Sequence, residues 1–529
     1  MSEFNLLDEP WIPCVDRDWR QLAYGIRETL LQAHDLREIC DGSPLVTAAI
    51  HRLLLAILYR ANEGPTSFEE WKVLYTRGRF DSATVDSYLD RWQERFDIFS
   101  SAHPFYQMAN LETRTAVPVR RLATECASGN NATLFNHNDD ASEASWTHAE
   151  VARQLIACQA FALGFGKSGN ATIDGSEERL PYSADAIALR GMNIWLQGAS
   201  LFETLSINLT PTEDESIPPW ELEKPNAYRD RLKGKDRRTV AAIGAIDRLT
   251  WQSRLVRLIP DGERVSSIYY TQGRSADKSA GDPMKSYRLN KSDGIVALPL
   301  SAGRAAWRDI HSILTIPSAR STGKSPEAFN LIARARDADV LQEAKPFDVH
   351  VVGLATAPNK AGKFLLWRHD RMPIHSSLVS DDELIGRLRL LLQNAERAAM
   401  EASARTRRLC RFFLAPECES PGGVQPDSKA VSHLIDSLDP RPMYWARLEQ
   451  HFYSLLECLP KDRDAASRVW RTRIKQEAQS ALEESIKMLG TSARAVQAIA
   501  RVRTTFGDAD LEPSDKKTRG VTRKGGKNE

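Results

Sequence analysis

From about residue 376 the chain carries apolar residues at helical spacing with little interruption, and few folds accommodate such a run. Asp381–Leu414 forms one long helical pattern that ends in a basic cluster, Arg405, Arg407, Arg408 and Arg411. Beyond Pro421-Gly422-Gly423, a second stripe is made by Tyr444, Leu448, Phe452, Leu455 and Leu459. A third runs through Trp470, Ile474, Ala478, Leu482, Ile486 and Leu489, and a fourth through Val496, Ile499, Val502 and Phe506. Four stripes joined by short connections predict an antiparallel four-helix bundle over 376–510. The remainder, 511–529, holds the basic, glycine-containing stretch Lys516–Lys527 without an acidic residue, and disorder is expected there.

Residues 1–375 are patterned differently and predict a mixed α/β domain, so the fold class is α+β. Phe4–Val15 reads as a strand with edge prolines. Ser43-Pro44 places a capping hydroxyl before a proline at the first helical position, and the rows Leu45, Ala49, Leu53, Ile57 and Val46, Ile50, Leu54, Leu58 continue it as a helix with a wide apolar face. Two more amphipathic helices are predicted near Phe68–Thr76 and Ala83–Phe96, and another over Val151–Leu163. Short β-like runs follow at Leu255–Ile259, Ser267–Gln272, Phe347–Leu354 and Lys363–Trp367. The longest polar loop between them is Gln272–Asn290, a length that is either functional or disordered.

Bulk properties narrow the function. A length of 529 residues implies roughly two to four domains. A net charge of +1 advertises neither nucleic acid nor membrane, so any polyanion contact must come from local patches. The N-terminus lacks the basic and apolar regions of a signal peptide, and no apolar run approaches the roughly 20 residues of a membrane span. The seven cysteines are scattered, with neither a disulfide framework nor a paired metal motif. A cytoplasmic protein without a bound metal or cofactor is expected.

Two polar loops flank the predicted helix Val151–Leu163, and loops of this kind carry contacts. The first contains Leu134, Phe135, Asn136 and His137; the second is Gly164-Phe165-Gly166-Lys167-Ser168-Gly169. The second matches GxGxxG and contains GKS. A phosphate loop, however, needs a glycine where Phe161 stands, and a dinucleotide turn needs a preceding strand and a following helix. Two readings stay open for this segment. It is a helix end followed by a flexible loop, or it exposes backbone to a polyanion with Lys167 supplying charge. Hydrolase motifs are missing, and His369-Asp370 is read as a structural turn at a domain junction.

These features occur in an order that resembles the large subunit of the type I-E CRISPR surveillance complex Cascade, the Cse1/CasA family. The resemblance is carried by Asn5-Leu6-Leu7 with Trp11-Ile12-Pro13, by His103-Pro104-Phe105 with Gln107, and by Asn131–His137. It continues through Gly164–Gly169, Leu249–Gln252, Arg368-His369-Asp370 and His451-Phe452-Tyr453. It therefore covers essentially the whole chain.

The resemblance implies a non-enzymatic subunit that reads the protospacer-adjacent motif (PAM) in double-stranded target DNA, helps open the duplex and supports recruitment of a helicase-nuclease. The implied partners are crRNA and the backbone and small subunits of the complex, with no membrane. By position, Leu134, Phe135, Asn136 and His137 match a loop at the crRNA 5′ end. Gly164, Gly166, Lys167 and Ser168 match a glycine loop facing the PAM. Asn359, Lys360, Ala361 and Lys363 match a hairpin that wedges into DNA, although the family's wedge glutamine has no counterpart. Arg274 and Lys278 fall where relatives place another DNA-facing segment. Some relatives hold zinc through paired cysteines that this chain lacks. The chemical types suit minor-groove reading, in which Lys, Asn and backbone sense a degenerate pattern. Each lysine also reads as an ordinary surface charge, and Phe135 as core. A scaffold that binds only crRNA and sister subunits is the alternative.

Overall fold

The computed structural model describes residues 3–125, 145–164, 170–180, 184–223, 242–276, 281–290, 294–314, 323–341, 345–356, 364–379, 381–502 and 505–511. The chain divides into two compact units, Met1–Ser380 and Asp381–Glu529. The first is mixed α/β and the second helical.

The first unit is built around the helix Pro44–Ala61. Its length and composition would suit a membrane span, but sixteen of its residues are buried in the protein core. The predicted amphipathic helix is thus apolar nearly all round, as expected of a central core helix. Leu6, Leu7 and Trp11 belong to the same core, and the Trp11 indole donates to Leu6 O at 2.8 Å. The regular strand there is Ile12–Asp16; the residues before it turn, with Ile26 N and Arg27 N bonded to Leu6 O and Leu7 O. The approach is close enough that a Cβ at Gly25 would stand 2.2 Å from Leu7 O, so only glycine fits.

The described residues of this unit form five small sheets, and every paired strand among them runs antiparallel. The largest hairpin, Pro346–Thr356 with Phe364–His375, pairs along its whole length and takes Asn193–Gln197 as a third strand. His369-Asp370, expected in a turn, lies inside the second of these strands. Asp370 there accepts from Ala306 N at 2.6 Å and from the Arg368 guanidinium. The β pattern simply continues through the pair.

Aromatic stacking ties helix and hairpin together. Trp195 stacks on His51 of the core helix with centroids 5.3 Å apart and on His350 at 4.7 Å, and His350 Nδ1 lies 2.8 Å from His369 Nε2. Burial holds the His51 imidazole down to about 4, against the hydrogen bond to Thr47 O, and pushes His350 lower still. Both rings fold neutral. The unfolded chain binds their protons near pH 6.5, so stability is complete above that pH and drains away as pH falls towards 4. His51 alone is expected to account for a loss on the order of 3 kcal/mol. Urea unfolding at pH 7.0 and 4.5 should therefore show a steeper loss in wild type than in His51→Phe; equal losses would exclude this source.

The second unit contains helices Asp382–Leu414, Ser428–Leu438, Arg441–Cys458, Arg463–Lys487 and Ala493–Ala500. Ser428–Leu438 was not anticipated, although Val431, Leu434, Ile435 and Leu438 stand at helical spacing; of its residues Leu438 is buried. Tyr444 OH donates to Ala395 O and Trp470 Nε1 to Leu391 O, both at 3.0 Å, so two helices hang their aromatic anchors on the longest one. The basic end of that helix is largely engaged. Arg405 is buried against Glu401 and Asp510 with its guanidinium over Phe506, Arg408 pairs with Glu419, and Arg411 donates to Gln425.

Candidate nucleic-acid interface

Most residues assigned to nucleic acid fall outside the described residues: Leu134, Phe135, Asn136, His137, Gly166, Lys167, Ser168, Lys278, Asn359, Lys360, Ala361 and Lys363. What the structure does define is where the chain leaves the scaffold to form these segments.

The helix His148–Phe161 begins with a capping box in which Thr147 and Glu150 satisfy each other's backbone amides. At its far end Phe161 O accepts from Thr124 Oγ1 at 3.1 Å. The departure of 126–144 is thereby fixed to the end of the helix that leads into Gly164. One turn on, the buried Arg254 guanidinium donates to Leu163 O and to Ala184 O, each at 2.8 Å. Gln159 completes the clamp, accepting from Arg254 N and donating to Tyr106 O and Arg254 O. A single charged side chain thus staples the residues before and after the glycine segment. Gly164 N donates to Asp185 Oδ1 at 2.8 Å, and the other Asp185 oxygen takes Arg190 Nε at 2.6 Å.

The glycine segment is preceded by a helix and followed by the strand Asn170–Ile173. That order is the reverse of a dinucleotide-binding turn, which opens a helix after a strand.

The remaining assigned segments depart from the same region. Asp185, Ser275, Ala276 and Leu354 line one cavity of about 540 Å³. Lys278 lies two residues beyond Ala276, and 357–363 begin three residues beyond Leu354.

Arg274 does not fit the expectation of a DNA-facing side chain. It is 1% exposed, donates to Asp247 Oδ1 at 3.0 Å and lies 3.7 Å over the Trp251 ring. Its charge already has a carboxylate and an aromatic face as partners, and reaching solvent would leave Asp247 buried without it.

Sequence reasoning missed the scaffold charges. Arg52 interrupts the apolar helix at a fully buried position and makes a bidentate pair with Asp282 at 3.0 and 2.8 Å, linking chain segments 230 residues apart. An arginine inside an otherwise apolar helix face was the available signal, since such a charge is buried only when paired. Its partner had no local mark.

The model of the CRISPR-associated protein Cse1 family matches residues 5–481. The CRISPR-associated protein CasA/Cse1 of Thermus thermophilus is 31% identical over 509 residues, covering 96% of this chain and 97% of the relative. The solved structure of Thermus thermophilus CasA (Cse1) superposes with a TM-score of 0.77 at 28% identity, covering 97% of this chain and 98% of that one. A chain of a solved CRISPR RNA-guided surveillance complex shares the fold with a TM-score of 0.72 at 20% identity, covering 95% and 99%. Both units therefore follow the architecture of CRISPR-associated proteins. The chain belongs to the Cse1 family.

Proposed function

We propose that this chain is the non-catalytic, DNA-recognising subunit of a type I-E CRISPR surveillance complex, acting in the cytoplasm. It reads the PAM in double-stranded DNA, helps destabilise the duplex for crRNA pairing and supports recruitment of the helicase-nuclease. Its partners are crRNA, the backbone and small subunits, and target DNA. One observation carries this reading: the segments holding Leu134–His137, Gly166–Ser168, Lys278 and Asn359–Lys363 leave the scaffold around one region, rooted by Thr124, Arg254, Asp185 and Leu354. Separate loops sharing one root can address one ligand together. A solved relative is part of an RNA-guided complex, which supports the same assignment. In such effectors the PAM is read by protein while base pairing reads the rest.

The test is binding of the reconstituted complex to duplexes with and without the PAM. Asn359→Ala/Lys360→Ala and Gly166→Asp are each expected to assemble normally and to lose roughly tenfold or more of the preference, since a groove contact contributes about 1–3 kcal/mol of discrimination. Unchanged preference in both variants would refute the assignment. Loss of assembly with preserved preference would favour a scaffold that binds only crRNA and sister subunits.

A further inference from the structure

The cavity at the root of these segments has a chemistry of its own. Its floor holds three charged side chains that are nine-tenths or more buried: Lys285, Asp282 and Arg248. Asp282 is engaged by Arg52 through both oxygens and also accepts from Met284 N. It also opposes the desolvation of Lys285, so Arg52 and Lys285 share this carboxylate. The Lys285 ammonium spends two protons on Ile187 O at 2.6 Å and Arg190 O at 2.7 Å. An ammonium has three donors, and among the described residues the third has no hydrogen-bond partner. Burial pulls this lysine down to about 8, opposed by Asp282 and reinforced by Arg52 and Arg248. A buried cation that shares its carboxylate with a second cation, in a cavity, is a place for an anion.

The rest of the cavity restricts which anion. Ile187, Ala297, Leu300 and Leu354 give it apolar walls, and the Tyr287 ring contributes a flat face whose hydroxyl is held by Gly281 N and Asp282 N. A volume of about 540 Å³ lies within the range of pockets that enclose small organic ligands. Inorganic phosphate would leave the walls uncovered, and a neutral apolar ligand would leave the ammonium unpaired. A planar base joined to a phosphate satisfies both parts.

We infer that this cavity binds one nucleotide unit, its phosphate on Lys285 beside Arg248 and its base among Ile187, Leu300, Leu354 and Tyr287. The unit is either a free mononucleotide or one unpaired nucleotide of a strand. Asp185 lines the same cavity and accepts from Gly164 N, so an occupant lies one hydrogen bond from the start of the glycine segment.

The experiment uses the full chain and titrates adenosine 5′-monophosphate, adenosine, inorganic phosphate and a fluorescent single-stranded 12-mer. Wild type is compared with Lys285→Met, which keeps the stem and removes the charge, and with Leu300→Trp, which fills the cavity from its half-buried wall. Thermal melting checks that each variant is folded. The monophosphate is expected to bind at least tenfold more tightly than adenosine or phosphate, and both variants to weaken it at least tenfold; that result identifies a free-nucleotide site. If only the 12-mer binds and both variants weaken it, the site takes a nucleotide of a strand. Should Leu300→Trp bind both probes as wild type does, or wild type bind neither, the inference is overturned.

Discussion

Asp282→Ala is expected to destabilise the first unit by about 3–5 kcal/mol, because it leaves the fully buried Arg52 guanidinium without its counter-charge. The cost comes from the partner left behind more than from the lost bonds. Among the described residues Arg52 would retain only its bond to Arg248 O, and Lys285 would lose the carboxylate that opposes its desolvation. Replacing both partners by apolar residues, Arg52→Met with Asp282→Leu, should recover much of the loss, as uncharged packing at a buried pair is often neutral. Acid acts in the same direction. Burial pushes the Asp282 carboxyl up, yet Arg52 holds it below the usual carboxylate range. Its contribution is thus present above about pH 4 and lost as pH falls through the lowered value. Hydrogen exchange of the helix Pro44–Ala61 measures the effect locally. Exchange in the single variant as slow as in wild type would mean the pair contributes nothing.

Trp470→Ala should have an effect of similar size in the second unit, about 3–5 kcal/mol, the range for truncating a buried aromatic. Trp470 is 1% exposed, meets Phe452 edge to face at 6.2 Å and donates to Leu391 O. The truncation opens a void at the meeting of three helices and removes the donor from a helix carbonyl. Amides around Leu391–Ala395 should exchange faster while those of Pro44–Ala61 stay protected. Equal loss of protection in both helices would show that Trp470 is not a local anchor of the helical unit.

These two residues mark what the sequence made legible and what it did not. Trp470 stood in a regular stripe with Ile474, Ala478 and Leu482, and all of them are buried. Local spacing alone sufficed, because a helix brings its own neighbours together. Pro44–Ala61 was equally readable from its two apolar rows. Asp282 was not, since its partner lies 230 residues away and nothing in its neighbours announces burial. Arg274 failed for the same reason in reverse. A basic residue in a long polar loop reads as exposed until Trp251 and Asp247 close around it. Gly164 was singled out for its motif, whereas the side chain that fixes its surroundings, Arg254, lay one residue before the β-like run Leu255–Ile259 and carried no mark.

The Arg254 clamp also bears on how such a protein can change over time. Leu163 O and Ala184 O hang on one guanidinium, and the strands Asn170–Ile173 and Ser176–Arg179 between them are paired into a sheet that buries Ala171 and Ile173. For a segment held at both ends, such as 165–169 between Leu163 and the first of these strands, the entropic cost of a loop grows only slowly with length, about 0.6 kcal/mol for each doubling. Insertions, deletions and charge changes confined to that segment can accumulate at little expense to the fold while the clamp and the sheet persist. A lineage under pressure to recognise new partners would then be free to vary the loop and obliged to keep the arginine.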